Sequence, residues 1–251
     1  MSPNTTLEDR TCLVTGGSRG IGKATAIELG EAGAEVAVNY KSSLESAERT
    51  VEEINEAGGS AIPVKANVAD PAEVAAMAAE VHDAFGTLDV LINNAGITKD
   101  TRFDRMTDAD WHNVIEVNLH GTFYCTRAFY EDLVGSDHGR LINISSIVGE
   151  QGNYGQANYA ATKSALIGFT RTLAREMGRY GSTANCVAPG FTMTDMLKVV
   201  DEEIQEKIKR KIILGRFAEV EDIAGVIGFL AGPDASYITG EVISVNGGMN
   251  I

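Results

Sequence analysis

Short apolar runs recur along the chain, each followed by a longer stretch of helical composition. This alternation limits the fold more than any other feature. Thr11–Thr15 (TCLVT) is the first run, ended by glycines, and Gly20–Gly33 follows it as a predicted helix. Glu35–Asn39 predicts a strand, and Leu44–Ala57 a helix whose outer side carries Glu45, Glu48, Glu52 and Glu53. Further strands are expected near Ala61–Ala66 and at Asp89–Ile92, Arg140–Ile144, Thr183–Val187 and Val242–Val245. A helix should begin at Pro71, a residue suited to a first helical turn, and another after the capping-box pair Thr107 and Asp110. Asn158–Tyr180 and Val220–Leu230 complete the helices. Strands apolar at nearly every position belong to a sheet covered on both faces. Regular β-α alternation makes that sheet parallel and doubly wound, an α/β Rossmann-like fold with helices on both faces. No linker, low-complexity segment or repeat interrupts it, so residues 1–251 read as one domain.

A chain of 251 residues, 44% hydrophobic, can bury a sizeable core and fits a soluble globular protein. No apolar run approaches the ~20 residues of a membrane span. Met1 to Arg10 lacks the apolar core of a signal peptide, so a cytoplasmic protein is expected. Cys12, Cys125 and Cys186 are far apart, and His82, His112, His120 and His138 have no ligand spacing. No metal site is expected. A formal net charge of −14 argues against a nucleic-acid partner. The acidity reads either as an ordinary solubilising surface or as a halophilic one, suited to a high-salt cytoplasm that screens the repulsion. Only 9 of the 21 basic residues are lysines, which leans toward the second.

The run Thr15-Gly16-Gly17-Ser18-Arg19-Gly20-Ile21-Gly22 joins the first strand to the first helix. Glycines let a backbone turn sharply and approach a pyrophosphate, and a helix amino end favours negative charge. The spacing Gly-x-x-x-Gly-x-Gly departs from the usual dinucleotide fingerprint, and a glycine cluster alone is often just a tight turn. Its place between strand and helix is what makes Gly16, Ser18, Arg19, Gly20, Ile21 and Gly22 cofactor candidates. An NAD site would carry an acid at the end of the second strand. Here Asn39-Tyr40-Lys41 stands there, and with Arg19 it suits a 2′-phosphate, which favours NADPH. Read alone, Lys41 would be a solvated loop lysine.

Tyr159 and Lys163 lie four apart in a helical stretch and share a face. Ser146 lies just past the fifth strand, at the carboxyl edge where such sheets bind ligands. A free tyrosine titrates near pH ~10. A nearby ammonium is expected to lower that value, so that Tyr159 acts as general acid toward a carbonyl oxygen. Ser146 would donate a hydrogen bond to the same oxygen.

The chain resembles the short-chain dehydrogenase/reductase family. The match lies, in order, in the glycine turn at Thr15–Gly22, Asn93-Asn94-Ala95-Gly96, Asn118, Ser146, Tyr159-Ala160-Ala161-Thr162-Lys163 and Pro189-Gly190. It runs from about residue 9 to the C-terminus. The resemblance implies that Asn118 joins Ser146, Tyr159 and Lys163 as a fourth catalytic residue, supporting a water-linked proton relay. It also implies that Asn94, Ala95 and Gly96 flank the cofactor's adenosine side, and that Asn67 and Val68 lie beside adenine, although many relatives have aspartate at position 67. Pro189, Gly190, Thr192 and Thr194 would line the nicotinamide and phosphates.

Within that family the segment Gly152–Tyr159, with Pro189-Gly190-Phe191 and Thr194-Asp195-Met196, is similar to β-ketoacyl thioester reductases. This implies Ser146, Gln151, Tyr154, Gln156, Tyr159 and Phe191 as substrate-binding residues. Such enzymes act on acyl-carrier-protein or coenzyme A thioesters, and those acting on the acidic carrier dock it with basic residues. The two docking positions, before His138 and before Gly181, here hold Asp137 and Tyr180, with Arg179 adjacent. The expectation is therefore acetoacetyl-CoA reduction to 3-hydroxybutyryl-CoA for polyhydroxyalkanoate synthesis, with carrier-protein substrates as the alternative. Residues 194–213 read either as a substrate lid or as a solvated amphipathic helix. The family analogy implies a homotetramer built through the helices around Trp111–Leu133 and Asn158–Tyr180 and through the C-terminal segment. Reduction of small ketones and a non-catalytic NADP-binding regulator are rival readings. Intact Ser146, Tyr159 and Lys163 argue against the regulator.

Overall fold

A computed structural model describes residues 6–194 and 201–250. Its strands are β1 (Thr11–Val14), β2 (Glu35–Tyr40), β3 (Ser60–Lys65), β4 (Val90–Asn93), β5 (Arg140–Ile144), β6 (Thr183–Pro189) and β7 (Val242–Val245). All pair in parallel in the order β3-β2-β1-β4-β5-β6-β7. The chain winds outward to β3, returns to the middle at β4 and continues to β7. Winding reverses between β1 and β4, whose carboxyl ends open the crevice where ligands of such sheets bind.

The helices are α1 (Gly20–Glu31), α2 (Leu44–Glu56), α3 (Pro71–Phe85), α4 (Asp108–Ile115), α5 (Gly121–Ala128), α6 (Tyr130–Gly135), α7 (Ile147–Gln151), α8 (Ala157–Met177), α9 (Glu202–Lys209) and α10 (Val220–Ala231). Successive strand residues point to opposite faces. Val14, Val38, Ile92 and Ile142 therefore pack with Leu29 of α1, Ile54 of α2 and Ile227 of α10. Leu13, Ala37, Leu91 and Leu141 pack on the other face with Met77 of α3, Cys125 of α5 and Met177 of α8. Leu13, Leu29, Leu91 and Leu141 have no exposed surface, and burying each side chain contributes roughly 1.5–3 kcal/mol. Both faces are covered, as the apolar strands required.

One polar row crosses the second core. Asn93, Asn143 and Cys186 stand level on β4, β5 and β6. Asn93 Nδ2 donates to Asn143 Oδ1 at 2.9 Å and to Thr126 Oγ1 of α5 at 3.0 Å, and Asn143 Nδ2 donates to Thr170 Oγ1 of α8 at 2.9 Å. These bonds tie the helices of one face to the central strands.

Several boundaries differ from expectation. The helix expected over Asn158–Tyr180 is α8 to Met177, followed by a 3-10 turn at Gly178–Tyr180, and β6 runs on to Pro189. After Thr107 the helix is interrupted by a π-helical turn at Glu116–His120. In the segment 194–213 the described helix is α9, and residues 195–200 of the expected lid lie outside the described residues. The end of that segment is anchored: Ile212 is buried with Phe217 and packs against Phe191, Met193 and Met249. Among the described residues no helix is long and apolar enough to cross a membrane.

The capping box starting α4 is formed. Thr107 Oγ1 accepts from Asp110 N at 3.1 Å, and Asp110 Oδ2 accepts from Thr107 N at 3.2 Å. Hydrogen bonds from the Thr107 hydroxyl and amide hold the Asp110 carboxyl below the usual range. Thr107→Ala is expected to cost ~1 kcal/mol in urea denaturation, and Thr107→Ser to restore most of it.

Candidate active site

The glycine turn forms at the end of β1. Thr15 Oγ1 accepts from Asn94 N at 2.9 Å and Ala95 N at 3.0 Å, and donates to Ile92 O at 3.2 Å. Asn94 Nδ2 in turn donates to the carbonyls of Thr15 and Gly16 at 2.9 and 3.2 Å. Gly16 has φ +64°, which favours glycine, and a side chain on Gly22 would strike Gly16 O and the Asn94 amide. Arg19 caps α1 without a side-chain hydrogen bond to the first-turn amides, so they face the turn uncovered. Glycine at 22 lets α1 pack directly on the turn, and the positive-φ turn followed by uncovered helix amides has the features that accommodate a pyrophosphate. Ser18 and Ile21 are half-buried along it, and Gly20 packs near Thr194.

At the end of β2, Asn39 is an internal brace. Its Oδ1 accepts from Gly16 N at 3.1 Å, and its Nδ2 donates to Ala66 O at 3.1 Å and Val64 O at 3.3 Å. Tyr40 is buried in the core. Their side chains are thus committed to the fold, while Arg19 and Lys41 are exposed beside the turn. Asn67 accepts from Ala69 N through its side chain at 3.3 Å, and Val68 is buried against Gly121. Pro189 ends β6, Gly190 lies against Asn246, and Thr192 donates to Gly190 O at 3.1 Å.

Ser146 caps α7, its hydroxyl accepting from Val148 N at 3.1 Å, and it lies near enough to the Tyr159 phenol to act on its ionisation. Tyr159 sits in the first turn of α8. That turn is fixed by Asn158, whose Nδ2 donates to Lys99 O at 3.1 Å and Asp110 O at 3.0 Å. Lys163, one turn on, is buried. Its Nζ donates to Ile144 O at 2.6 Å and lies 5.6 Å from the centre of the Tyr159 ring. Burial lowers the Lys163 pKa to about 8, with Cys186 opposing the shift. Burial pushes the Tyr159 phenol up; the Ser146 hydroxyl pulls it back and the Asp100 charge adds to the rise. This corrects the expectation that Lys163 brings the phenol down: the ammonium is engaged by the Ile144 carbonyl and rests over the ring.

Asn118 lies in the π-helical turn, a feature frequent at functional sites. Its Oδ1 accepts from Ile97 N at 2.8 Å, and its Nδ2 donates to Ile97 O at 3.0 Å and Thr162 Oγ1 at 3.2 Å. Gly96 sits between Asn118 and Lys163. The structure therefore brings the glycine turn, Asn94 to Gly96, Asn118, Ser146, Tyr159 and Lys163 to one crevice. Two hydroxyls, on Ser146 and Tyr159, converge where one carbonyl oxygen can take both.

Among the expected substrate residues, Gln151 and Tyr154 are exposed, and Phe191 belongs to the small Ile212–Phe217 cluster. Gln156 is buried and bonded to Asp100 and Asn153. Sequence reasoning missed Thr15, Asp100 and Thr162, whose roles are contacts with residues distant in the chain. It had one usable signal, the threonine immediately before the glycines.

A family model described as enoyl-(acyl carrier protein) reductase matches residues 16–250. The 3-oxoacyl-(acyl-carrier-protein) reductase of Staphylococcus aureus is 49% identical over 240 residues, covering 96% of this chain and 98% of that one. The reductase of the same name from Synechocystis is 48% identical, covering 98% of each. Among solved structures, a dehydrogenase/reductase from Sinorhizobium meliloti superposes with a TM-score of 0.95 at 38% identity, covering 99% of this chain and 98% of that one. A doubly substituted short-chain dehydrogenase/reductase from Serratia marcescens gives 0.93 at 35%, covering 98% of this chain and 99% of that one.

Burial of Lys163 has a testable sign. With its pKa lowered to about 8, the folded chain binds fewer protons than the unfolded chain up to the ordinary lysine value of ~10.4. The destabilisation from burying this ammonium is full below pH 8 and fades as pH rises through that window. In urea denaturation, wild type should gain on Lys163→Met between pH 8 and ~10.4. Parallel curves would refute the assignment.

Proposed function

Because this chain belongs to the short-chain dehydrogenase/reductase family, we propose that it uses NADPH to reduce the 3-oxo group of an acyl thioester carried on acyl carrier protein. The observation that carries the reading is the gathering of Ser146, at the carboxyl edge of the sheet, with Tyr159 and with Lys163, whose ammonium lies 5.6 Å from the Tyr159 ring. Bound in the glycine cradle, a nicotinamide cofactor supplies a hydride to the carbonyl carbon. Ser146 donates a hydrogen bond to the substrate oxygen as charge develops, and Tyr159 transfers its proton there. Lys163 holds its ammonium at the Ile144 carbonyl in the same crevice, and Asn118, beside Gly96, supports a water-linked relay that returns the proton to Tyr159.

NADPH is supported by the exposed cations Arg19 and Lys41 and by the lack of a carboxylate at Asn39-Tyr40. The names of the relatives favour the carrier-protein alternative over acetoacetyl-CoA. Arg179, stacked 4.9 Å over the half-exposed Tyr180 ring, places a cation beside one of the two docking positions. Acetoacetyl-CoA is the second reading, because Asp137 occupies the other. We extend the proposal to a homotetramer, to which the exposed Phe123 and Tyr237 would contribute buried area, and to a surface adapted to high salt.

Rates on acetoacetyl-carrier protein, acetoacetyl-CoA, an enoyl thioester and simple ketones, each with NADPH and NADH, test the reading. The carrier substrate with NADPH should be fastest; preference for the enoyl thioester or for NADH would overturn it. Tyr159→Phe should lose ~10²–10⁴-fold in turnover while still binding NADPH. Arg19→Ala should weaken NADPH and leave NADH unaffected. Activity that is highest in dilute buffer would sink the high-salt reading.

A further inference from the structure

Two loops flank Tyr159: residues 97–106, leaving β4, and residues 152–156, entering α8. They are fastened together. Thr101 N donates to Gly155 O at 2.8 Å. Gln156 Nε2 donates to both carboxylate oxygens of Asp100, at 3.0 and 2.9 Å. The other end of the Gln156 amide accepts from Asn153 Nδ2 at 2.9 Å, and Gln156 is only 9% exposed. Its amide is therefore fully engaged within the protein, and the proton chemistry described above makes no use of Asp100. Beside this contact the aromatic rings of Phe103 and Tyr154, 77% and 80% exposed, line a surface hollow of about 440 Å³ with Arg102 and Asp104, which pair with each other at 3.0 Å.

We propose that Asp100 and Gln156 form a latch that fixes the mouth of the site for a long-armed thioester. Both are positioning residues that act through the loops they join. A thioester arm of amides and methylenes suits a hollow with two exposed rings and the Arg102–Asp104 ion pair, provided the loops stay together. The substrate named here rests on the thioester reading; the latch itself does not.

The test uses the full-length enzyme, with melting temperature and NADPH binding checked for every variant. Gln156→Ala should raise KM for an acetoacetyl thioester about threefold to tenfold, with little effect on kcat or on KM for ethyl acetoacetate. Asp100→Ala combined with Gln156→Ala should raise KM no further than Gln156→Ala alone, because one contact has been removed twice. Asp100→Asn keeps a hydrogen-bond acceptor for Gln156 and should keep KM for the thioester close to wild type. Additive KM effects in the double variant, or a rise in Asp100→Asn as large as in Gln156→Ala, would overturn the latch. Failure of wild type to reduce any acyl thioester would instead overturn the substrate reading, and the same double-variant comparison on the carbonyl substrate it does reduce would then decide the latch.

Discussion

One hydroxyl holds the two halves of this molecule at the point where they must meet. Thr15 Oγ1 accepts two consecutive amides from the loop after β4, those of Asn94 and Ala95, and donates to the Ile92 carbonyl. The glycine turn after β1 and the loop after β4 leave neighbouring strands at the place where winding reverses. Tying them through one oxygen brings Gly16 against Ala95 and leaves no room for a side chain at Gly22. The loop carries on to Gly96, which touches the surroundings of Asn118 and Lys163. Cofactor cradle and proton-transfer groups therefore share one support.

Burial then sets the chemistry. Lys163 is enclosed by the sheet and its own helix, with an ammonium directed at a backbone carbonyl. Tyr159 is desolvated enough to resist ionisation, and Ser146 counters only part of that. Two groups whose ordinary values lie within about a unit of each other are displaced in opposite directions. An acid that keeps its proton and a base-like amine within reach of neutrality suit a site that must deliver a proton and be reloaded.

The sheet was legible in the sequence because strand burial leaves a continuous apolar signature, and each expected strand lies within a few residues of the observed one. Tyr159 and Lys163 were legible through helical spacing, and Ser146 through its place after a strand. Spacing puts two side chains on one face but does not say where the longer one ends. Lys163 therefore reached the Ile144 carbonyl rather than the phenol oxygen. Asn39 was read as a ligand residue because it ends β2, yet its amide braces the glycine turn to β3. The Asp100–Gln156 contact spans 56 residues, and no local pattern marks it. Asn118 and the loop Asn94–Gly96 came only from resemblance, since a π-helical turn has no composition of its own.

The buried row of Asn93 and Asn143 has a consequence for the alignment of the sheet. Asn93 is matched to Asn143, level with it on the next strand, and to Thr126 of a covering helix, while Asn143 is matched in turn to Thr170 of another. Sliding β4 or β5 by one residue, about 3.3 Å, would carry an amide to the opposite face and bring an aliphatic side chain against its former partner. The row thus works as a notch and key: an apolar sheet could settle in several offsets, and this one is confined to a single offset. Asn94 follows the notch on β4 directly, and Ser146 lies three residues beyond the notch on β5. A pair of amides within the core therefore gauges the height at which the loops of the crevice begin.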